Sequence, residues 1–73
     1  MSELEEAFAW MAELQSTAKF TPDFHLVRYG DGHWVLQFSL QHRDGFISRR
    51  TVWKKTPEAT FVEAHKQWKE RTT

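Results

Sequence analysis

Histidine, carboxylate and cationic side chains are the groups of this chain that could do chemistry, and their spacing decides which chemistry. The histidines are His25, His33, His42 and His65. A metal site on a helix needs ligands three or four positions apart so that they share a face, and no two of these histidines stand so. Nucleophilic catalysis needs a serine or cysteine served by a histidine and an acid. The chain has no cysteine, and no serine belongs to a recognisable arrangement of that kind. Gly30, Gly32 and Gly45 sit in turn sequences and build no phosphate-binding loop. These patterns point away from an enzyme and call for no metal or cofactor.

The charged residues are more informative. Ten Lys and Arg balance ten Asp and Glu, yet their distribution is uneven. Up to residue 24, Glu3, Glu5, Glu6, Glu13 and Asp23 face Lys19 alone; from 25 to 55, Arg28, Arg43, Arg49, Arg50, Lys54 and Lys55 face Asp31 and Asp44. The cations Arg43, Arg49, Arg50, Lys54 and Lys55 alternate with Phe46 and Trp53, a mixture that could neutralise phosphates while rings stack on bases. Against RNA or DNA binding stand the zero net charge and Glu58, which occupies the helix N-terminus where a phosphate would dock. The acidic residues at the start could meet a basic surface on a partner, although acids in a first helical turn also favour the helix dipole.

Hydrophobic periodicity supplies the elements that must position these groups. Ser2 and Glu5 form the sequence of a capping box, and Leu4, Ala7, Phe8, Met11, Leu14 and Ala18 recur at helical spacing, with Trp10 at the edge of the stripe. This helix should fade over Ser16 to Lys19, with Pro22 breaking it. The period then changes to two. Phe24 to Tyr29 and His33 to His42 read as strands joined at Gly30-Asp31-Gly32, which places Phe24, Leu26, Trp34, Leu36, Phe38 and Leu40 on one side. A third strand, Phe46 to Lys54, follows Arg43-Asp44-Gly45. A three-residue loop pairs His42 with Phe46 and turns Ser48, Arg50 and Val52 to the core; a two-residue loop reverses every side chain. The turn chemistry favours the first, with Gly45 at positive φ. In either case an arginine needs an edge where its head reaches water or a carboxylate of the first helix. Thr56-Pro57-Glu58 then opens a second helix whose buried face is Pro57, Phe61, Ala64, His65 and Trp68; Lys69 to Thr73 should fray.

The expected architecture is a single α+β domain over residues 1–73: a two-layer sandwich of order α-β-β-β-α, its three-stranded antiparallel sheet carrying both helices on one face. The other sheet face stays open. It carries Val27, Tyr29, Val35, Arg49 and Trp53, an apolar and aromatic set beyond what a solvated surface needs. His25 and His33 share that face and could titrate against a bound partner, whereas His65 reads as a core-edge histidine.

The element order is similar to that of the double-stranded RNA-binding domain, a family with a lysine cluster at the start of its second helix; Lys54-Lys55 stand just before this one. That resemblance would imply RNA as the partner. It rests on the order of elements and these two lysines. The glycine-punctuated approach to the helix is absent, the lysines precede Thr56-Pro57, and the first helix is acidic where the family's touches the RNA minor groove.

The function expected from these features is that of a small non-enzymatic binding or regulatory protein. It would act on a surface of a larger protein or complex through the open sheet face, in the manner of modulators that viruses and mobile elements direct at a host machine. Homodimerisation through the same face is a further possibility. No apolar run reaches the roughly 18 residues of a membrane span, and the acidic start lacks the basic stretch of a signal peptide, so a cytoplasmic setting is expected and a membrane partner is not.

Overall fold

The two chain reversals that build the sheet use one device twice. In the computed structural model, which describes residues 2–17 and 23–71, Gly32 and Gly45 adopt φ of 92° and 93°. Each closes a three-residue loop: the N–H of Gly32 donates to Tyr29 O at 3.0 Å, and that of Gly45 to His42 O at 3.0 Å. The aspartate before each glycine accepts from the backbone two residues on, Asp31 Oδ1 from His33 at 3.0 Å and Asp44 Oδ1 from Phe46 at 2.9 Å. Aspartate locks the turn and glycine supplies the left-handed residue that side chains disfavour.

These turns set the register of strands β1 (His25–Arg28), β2 (Trp34–Gln41) and β3 (Ile47–Lys54), which form an antiparallel sheet of order β1-β2-β3. Leu36 lies opposite Leu26 and Val52, and Phe38 opposite Arg50. The His42 N–H donates to Phe46 O at 2.7 Å, so the three-residue loop is the one that forms. Ser48, Arg50 and Val52 accordingly share the side of Leu36, Phe38 and Leu40.

Both helices pack on that side, giving a two-layer α+β fold. Helix α1 (Glu3–Thr17) begins with the capping box: Glu5 Oε1 accepts from the Ser2 N–H at 3.1 Å, and Ser2 Oγ from the Glu5 N–H at 3.2 Å. Helix α2 (Pro57–Glu70) is capped by Thr56, whose Oγ1 accepts from the Ala59 N–H at 3.2 Å. The buried core joins Trp10 and Ala64 to Leu36, Phe38, Leu40 and Val52, with Met11, Leu14, Phe24, Phe61 and Trp68 around it. No helix among the described residues is long and apolar enough to cross a membrane.

Several expectations change. Trp10 is a central core residue, and Phe8 is 48 % exposed with its ring against Phe61 at the rim. The reason is that α1 docks mainly on α2 and reaches the sheet through Trp10, so its buried stripe turns toward that side chain. Trp10 meets Phe24 and Phe38 edge-on at 5.7 and 6.5 Å, stacks on His65 at 5.1 Å and tilts against Trp68 at 5.7 Å. Because α2 covers β2 and β3, β1 is left bare on both sides and Leu26 is exposed. Thr60, outside the expected buried face, is fully buried; its hydroxyl donates to Pro57 O at 2.6 Å, which offsets the cost of burying it. Lys69 and Glu70 belong to the helix, which ends at Arg71 with the guanidinium over the Trp68 ring, 4.0 Å from the centroid. The expected break at Pro22 and the stripe residue Ala18 lie outside the described residues, as do Thr72 and Thr73.

Truncating the central strand tests the core. Leu36→Ala and Phe38→Ala should each cost about 3 kcal/mol in urea unfolding, because each empties a site with no solvent access; near-neutral values for both would contradict this packing. The Trp10–His65 stack predicts a pH effect. Burial, with Lys69 adding and Glu6 opposing, holds the His65 pKa below its ordinary 6.5. The unfolded chain then takes up the proton more readily, so stability is complete above pH 6.5 and falls as pH drops through the lowered folded value. Urea midpoints between pH 7.5 and 5 should show this decline, and His65→Gln should flatten it.

Candidate functional site

Alternation along the strands sends His25, Val27 and Tyr29, His33 and Val35, and Arg49, Thr51 and Trp53 to the sheet face that neither α1 nor α2 covers. Val35 sits at its centre, opposite Val27 on β1 and Trp53 on β3. It is only 1 % exposed although it faces away from both helices, whereas Val27, Tyr29 and Trp53 are 46 %, 44 % and 55 % exposed. The Tyr29 and Trp53 rings explain the difference. They stack at 5.1 Å with planes 10° apart. The outer strands are two strand spacings apart, about 9.5 Å, so rings this close must lean toward each other across β2 and roof Val35. Val35 is thus a small second core on the open side, and the surface a partner meets consists of Val27, Tyr29 and Trp53.

A polar tie crosses the same face farther along. Arg49 Nη1 donates to Ser39 Oγ on β2 at 3.1 Å and to Asp23 O at 3.3 Å, and lies 3.7 Å from Asp23 Oδ2. Asp23 Oδ1 is also 3.1 Å from His25 Nε2. The Arg49–Asp23 pair is exposed and contributes roughly 0–1 kcal/mol, but it orients the guanidinium along the sheet. Asp23 escaped the sequence reading because it precedes β1. Carrying the two-residue alternation back from His25 would have placed it on this face.

The basic residues do not form a single stripe. Arg49 is on the open face; Arg50, its Nε donating to Ser48 Oγ at 3.3 Å, and Lys54, 4.0 Å from Glu63 Oε1, are on the helix side; Arg43 is in the second turn and Lys55 is exposed just past β3. Among the described contacts, neither Arg49 nor Arg50 is joined to α1. Helix α2 lies between α1 and β3, and the α1 carboxylates Glu3 and Glu6 instead line a cleft of about 320 Å³ with Lys66 and Lys69 of α2.

The histidines are dispersed. His25 and His33 pair locally with Asp23 and Asp31, His42 Nε2 is 3.0 Å from Ser48 Oγ, and His65 lies on Trp10. Hydrogen bonding from the His33 backbone holds the Asp31 carboxyl below its ordinary pKa. Among the described residues no group of three or more His, Cys, Asp or Glu could hold a metal ion. A second groove, about 530 Å³, runs between the helices beside Trp10, His65 and Trp68; the Trp10 indole N–H on its wall is buried and has no hydrogen-bond partner among the described residues.

No family model matches the chain, and neither a curated protein nor a solved structure matches it. The functional reading therefore rests on the open face itself.

The roof over Val35 can be measured. Tyr29→Ala and Trp53→Ala in a double-mutant cycle should show a coupling of about 0.5–1.5 kcal/mol. Val35→Lys should destabilise by about 3 kcal/mol or more, because it places a charge beneath the rings. It is a stability probe and not a surface probe.

Proposed function

We propose that this chain is a non-enzymatic binding domain that docks on a larger protein through the open face of its sheet. One observation carries the reading: the Tyr29–Trp53 stack holds two large rings in a fixed geometry at a solvent-facing surface, with Val27 beside them. An aromatic pair already ordered in the free protein loses little side-chain entropy on binding, which is the property of an interface anchor. Arg49, tied along the same face, adds a positive group at its margin.

Binding of RNA or DNA is the second reading. It draws on the same exposed rings together with Arg49, Arg50 and Lys55. Three features favour protein: Asp23 and Glu63 stand beside Arg49 and Lys54, the cations are divided between two faces, and Tyr29 and Trp53 already cover one another.

Affinity capture on immobilised wild-type and Trp53→Asp protein, with and without nuclease, tests the choice. A partner protein retained after nuclease and lost with Trp53→Asp is the expected result, given a variant that keeps the wild-type circular dichroism spectrum. Material that disappears with nuclease, or that falls steeply between low and physiological salt, would overturn it in favour of nucleic acid. Sedimentation of the isolated protein at high concentration should show a monomer; a dimer broken by Trp53→Asp would assign the face to a second copy.

A further inference from the structure

β3 is an edge strand, and the turn before it decides which of its backbone groups are free. The His42–Phe46 pair is hydrogen-bonded, and in an antiparallel ladder that character recurs at every second residue. Ser48, Arg50, Val52 and Lys54 therefore direct their N–H and C=O groups to β2. Ile47, Arg49, Thr51 and Trp53 direct theirs outward, where no strand among the described residues receives them. The strand is eight residues long and pairs with β2 one-to-one, without bulge or proline. Such an edge is a template for another strand unless something guards it.

Here the guard is cationic, and its sign selects the occupant. Arg50 and Lys54 stand on the helix side of the strand and Lys55 lies just beyond it, while Arg49 on the open face turns inward to Ser39 and Asp23. A second copy pairing through its own β3 would bring the same cations against these, which disfavours self-association. An acidic strand meets the opposite situation. Arg50 is exposed and bonds only its neighbour Ser48 among the described contacts. On the open side Trp53 offers apolar area between Arg49 and Lys55.

We propose that the free edge of β3 takes up an extended acidic segment of the partner protein as a fourth strand, carboxylates toward Arg50 and Lys55 and an apolar side chain against Trp53. Backbone pairing supplies the affinity, and the alternating side chains supply the selectivity. The inference rests on the protein-binding reading above and specifies its partner's chemistry: the added strand would widen the open face on the Trp53 side.

Amide exchange by NMR reads the edge directly. The probe is a soluble peptide about ten residues long, a typical strand length, alternating glutamate with valine or threonine. Controls are its lysine-for-glutamate version, a version N-methylated at alternate backbone nitrogens, and an oligothymidylate. Before addition the amides of Arg49, Thr51 and Trp53 should exchange fast and those of Arg50 and Val52 slowly. With the acidic peptide the first group should slow by about tenfold or more, while the N-methylated and lysine peptides leave it unchanged. Arg50→Glu, on an exposed site, should weaken the acidic peptide about fivefold or more with folding intact.

Absence of binding at millimolar peptide, equal binding of the N-methylated peptide, or protection by oligothymidylate alone would overturn the inference. If the edge amides stay unprotected while Trp53→Asp still abolishes partner capture, the edge inference falls and the face reading stands. If oligothymidylate alone protects them and nuclease removes the captured material, both fall.

Discussion

The left-handed glycine at position 45 closes the β2–β3 turn, and most of the molecule follows from the register that turn imposes. One residue of slip would reverse every side chain of β3. Val52 would leave the core, and Ile47, Arg49 and Trp53 would be driven against the helices. With the three-residue loop, β3 contributes only Val52 to the buried core and turns Trp53 to the open side, where it meets Tyr29 from the far strand. The same parity determines which backbone groups of β3 face solvent. Core, aromatic pair and free edge are thus three consequences of one turn geometry.

Strand β2 is the element on which both sides depend. Leu36, Phe38 and Leu40 are buried beneath the helices, and Val35 is buried on the opposite side, which neither α1 nor α2 covers. A sheet open on one side usually solvates that side. This one shields its central residue with two rings borrowed from the outer strands. The arrangement stabilises the sheet and, by the same geometry, holds the rings where a partner can reach them.

The balance of charge conceals a spatial separation. The first helix and the third strand do not neutralise one another, because α2 packs between them and its own lysines stand beside Glu3 and Glu6. The basic side of the molecule is the β3 edge and the acidic side is α1. Asp23 and Glu63 temper that edge locally, beside Arg49 and Lys54, and leave Arg50 and Lys55 outside those pairs.

By itself the sequence determined the element order, both helix caps and the parity of the first two strands, and it favoured the three-residue turn that sets the parity of the third, which the structure decided. Each of these depends on residues within a few positions of one another: Ser2 with Glu5, Thr56 with Pro57, Asp with Gly, alternate side chains along a strand. The two-layer fold and the membership of the open face follow from that local information. Tertiary structure decided how far each residue is buried. Trp10 displaced Phe8 from the core because α1 settled on α2, Leu26 was left bare because α2 covered β2 and β3, and Val35 was withdrawn from the surface because Tyr29 and Trp53 met above it. Such outcomes depend on which long side chains can reach one another across elements, a property of three-dimensional distance that the periodicity of a single strand or helix does not contain.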